Sequence, residues 1–230
     1  MAVRYDLPSG AVDQLADLLE ALAAEPDPPT TVREPTAALN VHIADGLSAL
    51  EVVGLRDAER IADVGAGAGF PGLALAVALP TARVDLIESA RRKGAVIDRL
   101  IQAAHVENAR SVVARAEEWA AQPPVLGGGR EAYDVVTARA LAPLAVLAEY
   151  ASPLLREGGL LVAWKGARDE DEERAGSAAA PRLALQPDQV RRVVPFAGAE
   201  RRHLHVMRKT GPTPGGIPRR PGMARKRPLG

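Results

Sequence analysis

The sequence contains no cysteine and very few aromatic residues. None of its 230 residues is Cys, and Phe, Trp and Tyr together make up 3%. The lack of cysteine excludes disulfides, thiolate metal sites and a cysteine nucleophile. Because large aromatic side chains are scarce, Ala, Leu and Val must fill the interior, which favours close packing of helices on a sheet.

Long apolar segments are also missing. The longest runs, such as residues 73–79, fall far short of the roughly 20 residues that cross a bilayer. Residues 1–6 contain no apolar core of the length found in signal peptides. We therefore expect a cytoplasmic protein without membrane association. With 47% apolar residues, the chain can form one hydrophobic core with a small appendage.

The overall charge is balanced, but its distribution along the chain is uneven. Residues 201–230 contain nine Lys or Arg and no acid, whereas residues 1–200 hold the other 20 bases and all 29 acids, a net charge of −9. A basic C-terminal segment on an otherwise acidic protein indicates a polyanionic partner that is contacted at one end. A tail that only improves solubility is the alternative.

Two helical patterns precede the first predicted strand. Apolar residues at helical spacing are Val12, Leu15, Leu18, Leu19 and Leu22 in the first pattern, and Leu39, Ile43, Leu47 and Leu50 in the second. The proline-rich residues 25–29 separate the two. These patterns predict a small N-terminal helical cap over residues 1–56.

From Arg60 onward, short apolar runs alternate with helical patterns. Strands are predicted at residues 61–64, 84–87, 111–113, 133–137 and 160–164, with helices at 72–79, 91–104, 115–120 and 143–155. Two final strands, at 190–196 and 203–207, are close enough to pair antiparallel. This order predicts an α/β fold over residues 57–210, with a mostly parallel, doubly wound sheet and an antiparallel C-terminal strand. Residues 211–230, rich in Pro, Gly and Arg, are expected to form a flexible tail.

A glycine-rich loop joins the first predicted strand to the helix after it. Its sequence is Asp63-Val64-Gly65-Ala66-Gly67-Ala68-Gly69-Phe70-Pro71-Gly72. Glycines let the backbone turn tightly and approach a ligand closely, and in an open α/β sheet the first such turn is the expected ligand crevice. Glu88 ends the second strand about 20 residues farther on, where an acid can accept hydrogen bonds from ribose hydroxyls.

Two cofactor classes use this arrangement. A dinucleotide site needs Gly-x-Gly-x-x-Gly, with a pyrophosphate on the helix N-terminus, but Phe70 replaces the last glycine of that pattern. The carboxylate of Asp63 would repel a pyrophosphate, whereas it suits a ligand that carries an ammonium and a sulfonium group. S-adenosylmethionine is such a ligand. A methyltransferase is therefore favoured over a dinucleotide enzyme and over a glycine turn that binds nothing.

The loop and several further motifs, taken in order, resemble the ribosomal RNA small-subunit methyltransferase G family, also called glucose-inhibited division protein B. Besides the loop, these motifs are His42-Ile43-Ala44-Asp45, Arg115-Ala116-Glu117-Glu118, Thr137-Ala138-Arg139-Ala140, Lys165-Gly166, Glu200-Arg201-Arg202-His203-Leu204, and the tail from Pro218 to Leu229. The resemblance covers about residues 36–229. The ordered combination is far more specific than the glycine loop alone.

The resemblance implies a Rossmann-like class I S-adenosylmethionine-dependent methyltransferase that modifies N7 of a guanosine in 16S ribosomal RNA. It carries cofactor contacts over to Gly65, Phe70, Ala116, Glu117 and Arg139. Together with the residues singled out in and after the loop, the predicted cofactor site comprises Asp63, Gly65, Gly67, Gly69, Phe70, Glu88, Ala116, Glu117 and Arg139.

Guanine N7 has an in-plane lone pair and no hydrogen, so it can attack a sulfonium methyl in line without a general base. We therefore assign no catalytic residue, and name Arg139 and Lys165 as candidates for positioning the substrate. Without cysteine, methylation of pyrimidine C5 through a cysteine adduct is excluded. The fourth strand is not followed by an Asn-Pro-Pro-aromatic motif, which disfavours methylation of amino groups.

The candidate RNA contacts are basic side chains near the site and in the tail. They are Arg91, Arg92, Lys93, Lys165, Arg219, Arg220, Arg225, Lys226 and Arg227. We expect a metal-free monomer that acts on 16S ribosomal RNA or on the small ribosomal subunit. Removal of residues 212–230 is expected to weaken RNA binding and to leave cofactor affinity almost unchanged. The alternatives are a small-molecule methyltransferase, which leaves the basic tail unexplained, and a non-catalytic ribosome-assembly factor.

Overall fold

A computed structural model describes residues 1–32 and 34–230. Its α-helices are α1 (Ala2–Tyr5), α2 (Ala11–Ala24), α3 (Pro35–Ala38), α4 (Asp45–Leu47), α5 (Gly72–Ala78), α6 (Arg91–Ala103), α7 (Ala116–Trp119), α8 (Leu144–Ala151), α9 (Glu170–Ala179) and α10 (Met223–Lys226). Its strands are β1 (Arg60–Val64), β2 (Arg83–Ile87), β3 (Ala109–Val112), β4 (Tyr133–Arg139), β5 (Leu155–Lys165), β6 (Leu185–Val193) and β7 (Arg202–Lys209). No helix in the described ranges is long and apolar enough to cross a bilayer.

The strands form one sheet in the order β3-β2-β1-β4-β5-β7-β6. Neighbours among β1 to β5 are parallel, and Ile61 in β1 pairs with Val84 of β2 and Val135 of β4. β7 runs antiparallel to both β5 and β6. Because the chain moves outward from β1 in both directions, the carboxyl ends of β1 and β4 flank a crevice. The predicted fold class is confirmed.

Helices cover both faces of the sheet, because successive strand residues point to opposite sides. Ile61 and Leu86 pack with α2, α5 and α6 on one face. Ala62 and Val136 pack with α7, α8 and α9 on the other. Small side chains allow this close approach, and every residue of α5 is buried. Two apolar layers therefore enclose the sheet.

The N-terminal region shares the core of the sheet domain. Leu15, Leu18 and Leu22 of α2 are buried in the same apolar cluster as α5 and α6. Arg99 of α6 also grips Glu25, with Nε and Nη2 each 2.7 Å from a carboxylate oxygen. The helical cap thus lies directly on the sheet domain, and its boundary at residue 56 stays a prediction.

The second N-terminal helical pattern forms an irregular helix. The chain passes from α3 through a π-helical segment (Leu39–Ala44) into α4 and then a 3-10 turn (Ser48–Glu51). A π-helical turn shifts the side chains that follow it relative to α-helical spacing. Leu39 of the predicted apolar face is consequently 40% exposed, while the polar residues His42 and Asp45 are buried.

Several element boundaries differ from the predicted ones. β5 begins at Leu155 instead of residue 160, so α8 ends at Ala151 instead of 155. β6 covers residues 185–193 instead of 190–196, because its antiparallel pairing with β7 extends from Leu185 opposite Lys209 to Val193 opposite Arg202. Pro187 has no N–H to donate, and it is tolerated because β6 is the edge strand and its register shifts there.

Residues 211–230 contain little regular structure apart from α10, as expected. They nevertheless pack against the sheet domain. Ala224 is buried, Arg130 Nη1 donates to the Ile217 carbonyl at 3.1 Å, and Arg182 Nη1 donates to the Leu229 carbonyl at 2.9 Å. The segment lies on the domain instead of standing free, and the boundary at residue 211 stays a prediction.

Candidate cofactor site

A cavity of about 260 Å³ opens at the carboxyl edge of the parallel strands. It is lined by Val64 at the end of β1, Ile87 at the end of β2, Gly65 in the glycine loop and Ala116 at the start of α7. Open α/β sheets bind their ligands at this edge. The cavity therefore lies where the sequence predicts a site.

A larger groove of about 790 Å³ lies near the amino ends of β1 and β2. Its residues include Arg60 and Asp85, and none of the predicted site residues lines it. The Asp85 carboxylate is engaged there by Arg110 Nε and by the Tyr133 hydroxyl, each at 2.6 Å. We take the smaller cavity as the candidate site, since it brings predicted residues together.

Two glycines give the loop its shape. Gly65 has φ +70° and Gly67 has φ +60°, a region that residues with a side chain rarely adopt. A Cβ on Gly65 would lie 2.6 Å from Leu141 Cδ1. Apart from the chain neighbours of Gly67, the nearest described atom to a Cβ on Gly67 would be the Gly65 carbonyl oxygen, at 3.8 Å. The space beside Gly67 is therefore open. Gly69 continues the turn and donates its N–H to the Ala66 carbonyl at 2.8 Å.

Glu88 holds the loop from the end of β2. Its Oε2 accepts the Gly67 N–H at 3.1 Å, and its Oε1 accepts the Ala90 N–H at 2.8 Å. The side chain is buried, and its chain neighbours Ile87 and Ser89 line the cavity. The predicted ribose acid thus lies beside the cavity and fixes the glycine loop at the same time.

Asp63 lies beneath the loop and does not line the cavity. Its Oδ1 accepts the Thr137 hydroxyl at 2.8 Å, and its Oδ2 accepts the Gly72 N–H at 3.0 Å. The side chain is 1% exposed, and burial raises its pKa to about 6. Gly72 begins α5, so this carboxylate occupies an N–H at the helix start. The structure gives Asp63 a position that supports the loop, and its contact with the cofactor stays a prediction.

Ala116 and Glu117 form the cavity wall at the start of α7. Glu118 Oε2 accepts the Arg115 N–H at 3.3 Å, and Glu117 lines the cavity. Glu117 Oε1 accepts the Gly222 N–H at 2.8 Å. The C-terminal segment therefore contacts a predicted cofactor residue, a contact that the sequence does not predict.

Arg139 connects the glycine loop to the N-terminal helical region. Its Nη1 donates to the Val41 carbonyl and, at 3.1 Å, to Asp45 Oδ2, while its Nη2 donates to the Phe70 carbonyl at 3.3 Å. Arg202 is a second cation near Asp45, at 3.8 Å. The structure thus brings Arg139 and Phe70 together, next to the site but outside the residues that line the cavity.

Sequence reasoning missed the polar interior around His42. The His42 ring stacks on Phe70 with centroids 5.0 Å apart, and its Nε2 lies 3.2 Å from Thr30 Oγ1. Within the described part of the chain, His42 Nδ1 and Asp45 Oδ1 are buried side-chain atoms without a hydrogen-bond partner. Burial, and then the charge of Arg139, lower the pKa of His42 to about 4. The only sequence signal for this cluster is the His-x-x-Asp motif.

We expect His42 to make the fold sensitive to acid. Because its pKa in the folded protein is about 4 and its ordinary value is 6.5, its contribution to stability is complete above pH 6.5 and is lost as the pH falls toward 4. The free energy of unfolding of His42→Asn should therefore fall less than that of the wild type between pH 7 and pH 5, by about 2 kcal/mol. Urea unfolding at each pH measures the difference.

His105→Asn is the matched control. His105 is exposed and has φ +51°, a conformation that Asn tolerates, so this variant should keep the pH dependence of the wild type. Asp63 acts in the opposite sense, because its pKa is raised in the folded protein, but it is present in all three proteins. An unchanged slope in His42→Asn would show that His42 is not held neutral.

The predicted RNA contacts near the cavity lie on α6 and at the end of β5. Arg91, Arg92 and Lys93 form the first turn of α6. Arg92 forms an ion pair with Asp27 of the N-terminal region. Lys165 donates to the Ala142 carbonyl at 2.8 Å and pairs with Glu172. Arg92 and Lys165 are thus both bound to acids of this chain.

The predicted tail contacts divide into two groups. Arg219 grips the carboxylate of Glu149, with Nε 2.6 Å from Oε1. Arg225 lines the cavity and donates to the Leu141 carbonyl at 3.0 Å. Within residues 1–32 and 34–230, Arg225 is exposed and forms no ion pair, and the same holds for the three tail bases that do not line the cavity: Arg220, Lys226 and Arg227.

Comparison with known proteins places the chain in a family. The family model of rRNA small subunit methyltransferase G matches residues 15–205. The chain is 42% identical over 189 residues to the ribosomal RNA small subunit methyltransferase G of Pelotomaculum thermopropionicum, covering 82% of this chain and 77% of that protein. It is 43% identical over 200 residues to the protein of the same name from Rubrobacter xylanophilus, covering 86% and 75%.

A solved structure supports the fold. The structure is similar to that of the Methanococcus jannaschii fibrillarin pre-rRNA processing protein, with a TM-score of 0.54 and 19% identity over 73% of this chain and 74% of that one. The strand order, the glycine loop and the family match agree with one another. The chain therefore belongs to the rRNA small subunit methyltransferase G family.

Proposed function

We propose that the protein transfers a methyl group from S-adenosylmethionine to N7 of a guanosine in 16S ribosomal RNA. The observation that carries the proposal is the cavity at the carboxyl edge of the sheet, in a chain of the methyltransferase G family. The glycine loop, Ala116 and Glu117 bound this cavity, and Glu88 lies beside it.

The groups around the cavity fit S-adenosylmethionine better than a dinucleotide. At the start of α5, Asp63 already accepts the Gly72 N–H, so a pyrophosphate would meet a carboxylate where it needs free N–H donors. The open space beside Gly67, which a side chain would fill, lets a ligand approach the backbone. The carboxylates of Glu88 and Glu117 suit hydroxyl and amino groups and would repel phosphates.

The sheet order suggests which part of the ligand each of these residues contacts. β1, β2 and β3 are consecutive neighbours in the sheet. A ligand that extends from the glycine loop would meet Glu88 after β2 and then Glu117 after β3. We assign Glu88 to the ribose hydroxyls and Glu117 to the base. In this assignment Asp63 and Arg139 support the loop through hydrogen bonds, Asp63 to the Gly72 N–H and Arg139 to the Phe70 carbonyl.

The chemistry asks little of the side chains. S-adenosylmethionine supplies, when bound, a methyl group on a positively charged sulfur. Since guanine N7 offers a free lone pair, the protein needs no general base, and its task is to hold the reactants in line. We propose that Lys165, Arg91, Arg92, Lys93 and the exposed tail bases contact RNA phosphates, which fix position without reading sequence.

The same proposal defines the partner and the location. We propose that a monomer acts on 16S ribosomal RNA, free or within the small subunit, in the cytoplasm. We propose that direct attack by guanine N7 takes place without a metal ion.

The test combines methyl transfer with a cofactor-site variant. Incubated with S-adenosylmethionine and either small ribosomal subunits or naked 16S RNA, the wild type should produce 7-methylguanosine that mass spectrometry assigns to one position. Glu88→Ala should bind the cofactor more weakly by about 1.5–3 kcal/mol, the worth of a hydrogen bond to a charged group. Calorimetry measures this loss.

The control variant is Glu107→Ala, which removes an exposed acid at the opposite groove and should leave cofactor affinity unchanged. Saturable binding of NAD at micromolar concentration would contradict the cofactor assignment. Cofactor binding with methyl transfer only to small molecules would replace the RNA substrate, and RNA binding without cofactor would indicate an assembly factor.

A further inference from the structure

The C-terminal segment from Ile217 to Arg227 lies against the cofactor cavity. Gly222 and Arg225 line the cavity, as do the predicted cofactor residues Gly65 and Glu117. The Gly222 N–H donates to Glu117 Oε1 at 2.8 Å. A segment whose composition suggests a free basic tail thus supplies part of the wall of the candidate site.

One ion pair fixes this segment in place. Arg219 Nε lies 2.6 Å from Glu149 Oε1, and Arg219 Nη2 bonds the second carboxylate oxygen. Glu149 is 3% exposed, and a buried carboxylate is costly unless it is paired. Arg219 Nη2 also donates to the Arg227 carbonyl at 2.8 Å. The Arg219 side chain therefore links the beginning of the segment, and its end at Arg227, to Glu149 of α8.

Arg225 is the charged group that this segment presents to the cavity. Its Nη2 donates to the Leu141 carbonyl at 3.0 Å, and Leu141 lines the cavity next to Gly65. A planar guanidinium stacks well on aromatic rings. This step rests on the proposed function, which assigns Glu117 to the base of the cofactor. The Gly222 N–H is hydrogen-bonded to Glu117 and so places the segment next to that base. The purine end of the ligand is therefore the part nearest to Arg225.

We propose that residues 217–227 form a wall of the cofactor site, anchored by Arg219 on Glu149, and that Arg225 contacts the adenine of the bound cofactor. This assignment reverses the expectation that the tail contributes only to RNA binding. It also separates two functions within one segment. Arg225 contacts the cofactor, while Arg220, Lys226 and Arg227, which do not line the cavity, remain available to phosphates.

The test compares two neighbouring side chains in the full-length protein. Arg225→Ala should weaken S-adenosylmethionine binding about two- to fivefold, in keeping with one cation–aromatic contact made by an exposed guanidinium. The same loss is expected for 5′-methylthioadenosine, which keeps the adenine and the ribose but lacks the amino-acid end. Lys226→Ala should leave both affinities unchanged and weaken RNA binding instead. Calorimetry measures the affinity of each variant for the two small ligands, and filter binding measures its affinity for RNA.

The anchor has an independent readout. In the wild type, trypsin should cleave within residues 219–227 more slowly when S-adenosylmethionine is bound, because the ligand stabilises the segment in its position against the cavity. In Arg219→Gln this protection should be lost. Since Arg225 is exposed, Arg225→Ala should keep the melting temperature of the wild type, so its affinity stays interpretable even if Arg219→Gln folds poorly.

Failure of this inference can be told apart from failure of the proposed function. If the wild type binds neither small ligand, the cofactor assignment itself is wrong. If the wild type binds both and folded Arg225→Ala binds them equally well, the segment is not part of the site. Equal losses in Arg225→Ala and Lys226→Ala would likewise overturn the specific role of Arg225.

Discussion

Gly67→Val is expected to fold and to bind no S-adenosylmethionine. Gly67 has φ +60°, and a β-branched residue there costs about 1–2 kcal/mol, which a protein stabilised by roughly 5–15 kcal/mol can tolerate. The new side chain would fill the open space beside the loop, where a ligand must approach the backbone. It would also disturb the Gly67 N–H bond to Glu88. Calorimetry with S-adenosylmethionine and thermal unfolding measure the two effects.

Gly54→Val separates backbone strain from obstruction of the site. Gly54 has φ +87°, and apart from its chain neighbours no atom of the described residues lies within 4 Å of the Cβ it would gain. This glycine is exposed and does not line the cavity. The two variants should lose similar stability, while Gly54→Val keeps the cofactor affinity of the wild type. Near-normal affinity in a folded Gly67→Val protein would mean that this loop is not the binding loop.

The strands and the glycine loop could be predicted from the sequence, because the signals for both are local. Apolar runs such as residues 61–64 identify buried strands wherever they lie in the chain. The positive φ angles at Gly65 and Gly67 also follow from residue type, since glycine adopts them without strain. Ala116 and Glu117 line the cavity, but only the family resemblance singled them out before the structure did.

Contacts between distant parts of the chain could not be predicted in this way. The charge pattern identifies a basic tail, but it cannot show that Arg219 meets the buried Glu149, 70 residues away. An acid before the glycine loop suggests a ligand contact, yet Asp63 is used by Thr137 and by the start of α5. These outcomes depend on tertiary packing, which brings partners together irrespective of their spacing in the sequence.

The contacts of Arg139 also could not be predicted from the sequence. They lead to the second prediction with a large expected effect. The resemblance makes it a cofactor contact, whereas the structure has it bridging Val41, Asp45 and Phe70. Asp45 is 1% exposed. Among the described residues, Arg139→Ala would leave this buried carboxylate with one cation, Arg202, whose Nε lies 3.8 Å from Asp45 Oδ1. We therefore expect a loss of about 3–5 kcal/mol in the free energy of unfolding. Urea denaturation measures it.

Arg168→Ala is the surface counterpart. Arg168 also pairs with a carboxylate, that of Glu173, but its side chain is 55% exposed. Exposed ion pairs are worth about 0–1 kcal/mol, so this variant should be nearly as stable as the wild type. A comparable loss in both variants would show that burial of Asp45 is not the reason for the effect at Arg139.

A double variant decides between the bridge and the direct contact. Arg139→Gln combined with Asp45→Asn removes both charges and keeps groups that can hydrogen-bond, so most of the stability lost in Arg139→Ala should return. If Arg139 acts only by holding Phe70 and the loop, cofactor affinity should recover together with stability. If Arg139 also binds the cofactor, for example its carboxylate, the double variant will be stable and will still bind S-adenosylmethionine weakly. Calorimetry on this stable protein therefore assigns the role of Arg139 without interference from unfolding.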